Sequence, residues 1–154
     1  MKKIIYLIAG IGILLDQITK FLASIYLDNI DIIPGFFSLT YVENKGAAWG
    51  ILNNSTIVLV GISVIVLLLI SKYISSTIEF TKLSVVSYGL LIGGIFGNLM
   101  DRIFRGFVID FFNFNILGYH FPVFNIAVTM IVIGVILMFI EVIGDTYGNK
   151  SRKK

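Results

Sequence analysis

Residues 55–74 read STIVLVGISVIVLLLISKYI, and this stretch decides the fold class of the chain. Between residues 58 and 70, only Gly61 and Ser63 depart from Val, Leu and Ile. A helix that crosses a bilayer needs roughly 20 predominantly apolar residues. We therefore predict a membrane-spanning helix over residues 55–74.

Three further apolar stretches of comparable length lie at residues 4–27, 83–100 and 121–143. The 154-residue chain is 57% hydrophobic and 14% charged, and its mean hydropathy is +0.96. This composition excludes an ordinary soluble domain. We predict an all-α integral membrane protein with four transmembrane helices in a single domain, residues 1–154.

The first apolar stretch follows Lys2 and Lys3, as the apolar region of a secretory signal peptide would. In a signal peptide that region spans roughly 7–15 residues. Here it is longer and is interrupted by Asp16, Gln17 and Lys20. We therefore predict that it is a retained transmembrane helix.

Basic residues mark one side of the predicted bundle. They lie before the first span, at the end of the second, immediately before the third and after the fourth: Lys2, Lys3, Lys72, Lys82, Lys150, Arg152, Lys153 and Lys154. Because Lys and Arg are concentrated in cytoplasmic loops, we predict that both termini are cytoplasmic. Residues 28–54 and 101–120 then form outer loops, and residues 146–154 form a basic, disordered tail.

Net charge and cysteine content exclude several classes of function. The net charge of +3 comes largely from the chain ends, so the basic residues indicate topology and not a nucleic-acid site. The absence of cysteine excludes disulfides, thiolate metal sites and a cysteine nucleophile in the protein.

Ionisable residues within or beside the spans are functional candidates because lipid makes them costly. Asp16 and Lys20 are four residues apart, so they share a helix face and can neutralise each other as a structural pair. Gly89, Gly93 and Gly97 also repeat every four residues, a spacing that lets membrane helices pack closely.

A polar group follows at the end of the third span, where Asn98, Asp101 and Arg102 project from one helix end. Their spacing suits a cluster that joins helices as well as it suits a functional site. Asp110 lies in the apolar run VIDFF at residues 108–112. Desolvation there is expected to raise its pKa, which suits an acid–base role but is a weak signal alone.

Two segments near the outer ends of the spans are assigned structural roles. Asn125 follows Pro122 at the start of the fourth span, which suits a helix cap or an interhelical hydrogen bond. Residues 36–43 follow a Pro34-Gly35 turn signal and are rich in aromatic and β-branched residues, which predicts a small strand or hairpin on the membrane surface.

Two other residues of the predicted outer loops are not interpreted as ligand-binding residues. Trp49 is typical of the aromatic belt at a membrane interface. His120 is the single histidine of the chain, and we expect no metal site from it.

Five ordered motifs resemble those of the lipoprotein signal peptidases, also called signal peptidase II. They are DQITK at 16–20, NKGAAW at 44–49, GGIFGNLMDR at 93–102, VIDF at 108–111 and FNIA at 124–127. The resemblance implies four transmembrane helices with a small extracytoplasmic β-cradle and loop. It also implies a cofactor-free aspartic endopeptidase of the bacterial cytoplasmic membrane, whose active site lies near the extracytoplasmic face. Such an enzyme removes signal peptides from prolipoproteins, N-terminal to a diacylglyceryl-modified cysteine.

The resemblance assigns roles to individual residues. Asp110 matches the first of two catalytic aspartates, and Val128 occupies the position of the second. Asp16 and Lys20 match a structural pair of the first helix. The residues that match substrate-binding or supporting positions are Asn44, Gly46, Asn98, Asp101, Arg102 and Asn125.

Val128 departs from the family pattern at a position where chemistry is expected, since valine can neither exchange a proton nor hold a water. The sequence contains no Asp or Glu from residue 111 to 140, and Glu141 follows 13 residues after Val128, about 20 Å along a helix. Thr129 is too weak an acid to replace the missing carboxyl group. Asp101 is expected to be engaged in an ion pair with Arg102. We therefore predict an inactive or severely impaired enzyme that keeps the family fold and substrate groove.

The expected partners are diacylglyceryl-modified prolipoproteins, membrane lipids and cyclic peptide inhibitors that mimic the substrate, with the chain acting as a monomer. A second hypothesis is a non-catalytic receptor for lipidated peptides or peptide antibiotics, which would use the same pocket without turnover. A third is a small transporter or assembly subunit in which Asp16 and Lys20 form the pathway, and this hypothesis predicts ion or solute flux.

Overall fold

A computed structural model describes residues 1–47, 51–52 and 55–151 of the chain, with side chains up to residue 144. The helices are α1 (Lys2–Tyr26), α2 (Thr56–Ser76), α3 (Lys82–Phe104) and α4 (Ile126–Ser151). Four segments are long and apolar enough to cross a membrane: Lys2–Tyr26, Thr56–Ser76, Lys82–Phe104 and Ile126–Gly144. This confirms the prediction of four spans. Trp49 lies outside the described residues.

The fourth helix continues further than the sequence suggested. Its backbone is helical to Ser151, whereas we predicted a disordered tail from residue 146. The stretch after Glu141 contains no proline, so an established helix is extended by one hydrogen bond per residue without a new nucleation step.

Residue periodicity explains how the helices pack. The buried residues of α1 recur every three or four positions and are Ile5, Ala9, Gly12, Asp16, Lys20 and Ala23. One face of α1 therefore contacts the protein, and the remainder is mostly apolar and largely exposed. By contrast, α2 buries only Leu59 and Ile74, as expected of a helix surrounded mainly by lipid.

Helix α3 lies at the centre, and its glycines permit close contacts on both sides. A Cβ on Gly89 would lie 2.7 Å from the Cβ of Ile8 in α1. A Cβ on Gly94 would overlap the backbone carbonyl of Ala127 in α4. These distances support the interpretation of the α3 glycines as packing residues.

An antiparallel four-stranded sheet accompanies the helices, with strand order β1-β2-β3-β4. The strands are β1 (Asn29–Ile33), β2 (Phe37–Asn44), β3 (Val108–Ile116) and β4 (Tyr119–His120). The strand predicted at residues 36–43 is present as β2. The region predicted as an outer loop at 101–120 contains the end of α3 and two strands, because VIDFFNFNI pairs along its length with β2 and β4.

The sheet is fixed to the helices by an apolar cluster at the end of α1. Buried Ala23 of α1 packs with Ile109 and Phe111 of β3. Strand β3 is therefore held at the end of the helical bundle. This contact places Asp110 between the sheet and the helices.

Candidate active site

Asp110 lies in β3, beside β2, and its side chain is almost completely buried. Its Oδ2 accepts a hydrogen bond of 2.8 Å from Nδ2 of Asn44 in β2. Its Oδ1 accepts one of 2.7 Å from Nδ2 of Asn125. The sheet register, which pairs Asn44 with Val108 and Val42 with Asp110, brings the amide of Asn44 to the carboxylate.

Asn125 both caps α4 and contacts Asp110. Its Oδ1 accepts a hydrogen bond of 2.7 Å from the backbone N–H of Val128, which is the interaction of an N-cap residue. Its Nδ2 also donates to Oδ1 of Asn98 and to the carbonyl of Ile109, each at 3.1 Å. The helix cap suggested by the sequence is therefore also a direct contact of the candidate catalytic carboxylate.

Lys20, Asp16 and Asp101 form the fully buried centre of a charged network. Nζ of Lys20 is 2.8 Å from Oδ2 of Asp16 and 2.8 Å from Oδ2 of Asp101. It also donates to Oδ1 of Asn98 at 2.8 Å. The predicted Asp16–Lys20 pair is thus part of a larger network that joins α1 to α3. Its complete burial suits a structural pair better than a transport pathway.

The expected pairing of Asp101 with Arg102 is wrong. Asp101 instead pairs with Lys20 and with Arg105, which is one helical turn beyond it. Residues three or four apart share a helix face, whereas adjacent residues do not. Arg102 points to another side and donates from Nη2 to the carbonyl of Gly46 at 3.0 Å.

The loop after β2 is held in place by two of the predicted residues. Oδ1 of Asn44 accepts a hydrogen bond of 2.9 Å from the backbone N–H of Gly46, while the carbonyl of Gly46 accepts from Arg102. The amide of Asn44 therefore has a fixed orientation, with its Nδ2 directed at Asp110.

Asp110 and Val128 line the same small pocket, whose volume is about 70 Å³. The other lining residues are Asn44, Ala47, Asn98, Arg102, Val108, Pro122, Val123 and Phe124. An open groove of about 330 Å³ adjoins it and shares Asn44, Ala47, Asp110, Pro122 and Val123. Of the described residues that line the small pocket, only Asp110 carries a carboxylate.

Burial raises the pKa of Asp110 to about 6, from an ordinary value of 3.8. The hydrogen bonds from Asn44 and Asn125 and the positive charges of Lys20 and Arg102 oppose this rise. Because the pKa lies near neutrality, Asp110 is mainly ionised at pH 7 and is a stronger base than an exposed aspartate. It can therefore accept a proton from a bound water.

Two members of the charged network had no role assigned from the sequence. Nε2 of Gln17 contacts Oδ2 of Asp16, the carbonyl of Gly97 and Oδ1 of Asp101 at 3.1 to 3.2 Å. Arg105 donates to Oε1 of Gln17 at 3.2 Å. The sequence did contain a signal for Gln17, because a polar residue within an apolar span indicates a contact inside the protein.

Four candidate spans, a sheet at one end of the bundle and a buried aspartate between them define a polytopic membrane protein with a carboxylate-centred site. The chain matches the family model described as signal peptidase (SPase) II over residues 8–144. It therefore belongs to the signal peptidase II family of bacterial aspartic peptidases, which process lipoproteins.

Individual relatives support this assignment. Lipoprotein signal peptidases of Staphylococcus aureus strains JH9 and Newman are each 37% identical over 150 residues, which cover 96% of this chain and 92% of each relative. A bacterial membrane enzyme solved at 2.3 Å is similar with a TM-score of 0.83 and 37% identity, over 91% of this chain and 87% of that one. Another, solved at 1.9 Å, gives a TM-score of 0.80 over 90% and 92%.

Proposed function

We propose that this chain has the fold and substrate groove of a lipoprotein signal peptidase but is inactive or severely impaired because of Val128. Its substrate class is prolipoproteins, which an active enzyme cleaves N-terminal to a diacylglyceryl-modified cysteine. The site lies near the extracytoplasmic face of the membrane, with both termini in the cytoplasm, and the chain acts as a monomer. The positions of the basic residues support this orientation.

An aspartic peptidase needs two carboxyl groups with different protonation states. One is ionised and takes a proton from the attacking water, while the other is protonated and polarises the scissile carbonyl. Asp110 supplies the first group, since it is buried, hydrogen-bonded and mainly ionised at neutral pH. The polar residues Asn44, Asn98, Arg102 and Asn125 support it or face the substrate, and Gly46 and Asp101 hold these groups in position.

The observation that carries the proposal is the position of Val128. It lines the pocket of Asp110, and Asn125 contacts both the Asp110 carboxylate and the Val128 backbone at 2.7 Å. A carboxyl side chain at residue 128 would have Asp110 as its neighbour. Valine at this position leaves the site without its proton donor.

Other acidic residues are poorly placed to replace the missing group. Asp101 is engaged by Lys20, Arg105 and the backbone N–H of Ile109. Glu141 contacts Thr81. Glu43 lines the adjoining groove but accepts a hydrogen bond from Tyr41 at 3.2 Å, and it belongs to the groove outside the small pocket.

The expected loss of activity is large. General acid–base assistance contributes about 10²–10⁴-fold to a rate, and removing one member of a catalytic unit costs about as much as removing the unit. We therefore expect cleavage by this chain to be slower than by a Val128→Asp variant by a factor in that range.

A gel-shift cleavage assay on a diacylglyceryl-modified prolipoprotein tests the proposal. The unmodified chain, Val128→Asp and Val128→Asn are compared in the same lipid, since asparagine has the size of aspartate without its acidity. Cleavage by Val128→Asp alone supports the proposal. Equal cleavage by the unmodified chain would sink it, and loss of that cleavage in Glu43→Gln would identify the alternative acid.

A second candidate function, a non-catalytic receptor for lipidated peptides or peptide antibiotics, is favoured by the intact groove beside Val128. This function requires binding without turnover. Photocrosslinking of a lipidated peptide to the unmodified chain, with competition by a cyclic peptide inhibitor, tests it. Binding as tight as that of Val128→Asp supports the receptor function, and absence of binding excludes it.

A further inference from the structure

The loop between β3 and β4 combines an unfavourable backbone conformation with an exposed apolar side chain. It consists of Leu117 and Gly118, whose φ angles are 52° and 84°. Two-residue hairpin loops with positive φ at both positions favour Asn-Gly, because a residue with a Cβ is disfavoured in the left-handed region. Leucine also lacks the local hydrogen bonds that asparagine can form.

No packing within the sheet accounts for leucine at this position. Leu117 is the most exposed large apolar side chain of the described residues, at 103%. The flanking residues Ile116 and Tyr119, which pair across the hairpin, are 40% and 54% exposed. A disfavoured conformation that persists without internal contacts indicates an interaction outside the fold.

The outer rows of the sheet that carries this loop have one apolar and one polar side. Nearer the bundle, Ile109 and Phe111, which are on the same side of β3 as Asn113, are buried against α1. Ile30, Leu39 and Phe112 lie directly opposite one another on β1, β2 and β3. The neighbouring row across the same strands is Asp31, Ser38 and Asn113. Because successive residues of a strand point to opposite faces, the first row belongs to an apolar face and the second to a polar face.

The apolar face is turned toward the membrane-spanning helices. Ile30, Leu39 and Phe112 line an apolar cleft of about 330 Å³ with Leu22 and Tyr26 of α1, and Phe111 from the other side of β3 also lines it. These α1 residues belong to the last two turns of a candidate span. The same face of β3 continues by alternation from Phe112 through Phe114 to Ile116, so the hairpin extends it away from the bundle.

We propose that the tip of the β3–β4 hairpin is a membrane anchor, in which Leu117, Ile116 and Tyr119 insert among the phospholipid acyl chains beside this end of the bundle. Burial of these side chains in lipid offsets the unfavourable conformation of Leu117. Tyrosine suits this depth because its ring is apolar and its hydroxyl is polar. Asn115 and His120, paired on the next row, face away from the acyl chains. The anchor does not depend on peptide cleavage.

Spin labelling tests this directly, because the chain has no cysteine of its own. Leu117→Cys is labelled in nanodiscs of phosphatidylethanolamine and phosphatidylglycerol, with Asp31→Cys on the exposed polar face as the control. The label at residue 117 should be several-fold more accessible to oxygen and less accessible to a water-soluble nickel chelate than the control. Equal nickel accessibility at both positions, or dipolar coupling between labels at residue 117 that shows self-association, would overturn the proposal.

Hydrogen exchange of the hairpin in the same nanodiscs gives a second test. The Leu117→Asn substitution should change the exchange rate in opposite directions for an anchored loop and for a loop without an anchor. Leu117→Asn fits the left-handed conformation, so a loop without an anchor should exchange more slowly. An anchored loop should exchange several-fold faster, including the N–H of Phe121 that bonds to Phe114 at 3.0 Å. Leu117→Phe should retain the original rates; slower exchange in Leu117→Asn, or faster exchange in Leu117→Phe, contradicts the anchor.

Discussion

Asn125 donates a hydrogen bond of 2.7 Å to Oδ1 of Asp110, and it makes this contact from the capping position immediately before α4. One amide therefore links the start of a transmembrane helix to the candidate catalytic carboxylate. Removal of this amide should affect both the stability of α4 and the acidity of Asp110.

The Asn125→Ala variant should lose about 1–3 kcal/mol of stability, because it leaves buried hydrogen-bond partners unsatisfied and removes the cap of α4. It should also raise the pKa of Asp110 further, since a hydrogen bond that lowers it is lost. Thermal unfolding in detergent and infrared titration of the carboxyl band measure the two effects. Thr129→Val is a matched control on the same turn, because it removes a hydroxyl that bonds only the carbonyl of Asn125 among the described contacts. An unchanged Asp110 titration in Asn125→Ala would contradict the expectation.

Lys20 balances two buried carboxylates, so its replacement should be among the most damaging in the chain. Lys20→Met should cost about 3–5 kcal/mol, because it leaves uncompensated charge in the bundle. Chemical unfolding in detergent, or the folded yield, measures the loss. The double variant Lys20→Met with Asp16→Asn should recover part of it by removing one carboxylate. No recovery in the double variant would show that lost packing outweighs charge.

Gly97 packs directly against Asp16, and its replacement tests this contact. A Cβ at residue 97 would lie 2.6 Å from Oδ2 of Asp16. Because the Asp16 carboxylate is held by Lys20 and by the backbone N–H of Ala127, it cannot move without losing a partner. Gly97→Ala should cost about 1–3 kcal/mol, whereas Gly61→Ala, where no atom lies within 4 Å, should be neutral or slightly stabilising. Equal unfolding temperatures for the two variants would contradict the close contact.

The raised pKa of Asp110 makes stability depend on pH. Since the folded protein holds this proton more tightly than the unfolded chain, the contribution of Asp110 to stability is greatest below pH 4. It falls as the pH rises from about 4 to about 6, where the group ionises. A shift of about two units corresponds to about 3 kcal/mol. The free energy of unfolding, measured across this pH range, should decline in the unmodified chain. In Asp110→Asn this part of the decline should be absent. The same slope in both proteins would assign the pH dependence to other groups.

The spans and the motif residues could be predicted from the sequence because lipid imposes a strong constraint on composition and length. Four apolar stretches predicted four helices, and ionisable residues within them were noticed as costly. The spacing of Asp16 and Lys20 also predicted their ion pair. These inferences rest on contacts within one helix or on the solvent alone.

Contacts between distant segments were less accessible to sequence reasoning. Asp101 was expected to pair with its neighbour Arg102. Helix geometry instead places Arg105 on the same face as Asp101, and the packing of α1 against α3 places Lys20 beside it. Gln17 joins the same network through contacts with residues 80 and 84 positions away. The strand β3 was assigned to an outer loop because its aromatic run becomes a strand only when β2 lies beside it.

The Asp16–Lys20 pair also bears on how the protein enters the membrane. Segments nearer the N-terminus emerge first during synthesis, so α1 reaches the bilayer before Asp101 of α3 exists. An unpaired charge at the centre of a span costs about 2.5–3.5 kcal/mol on insertion scales. Because Asp16 and Lys20 neutralise each other within one helix, α1 can be inserted before its partners are made. Asp101 then joins the pair when α3 is inserted, which fastens the two helices after each has entered the membrane.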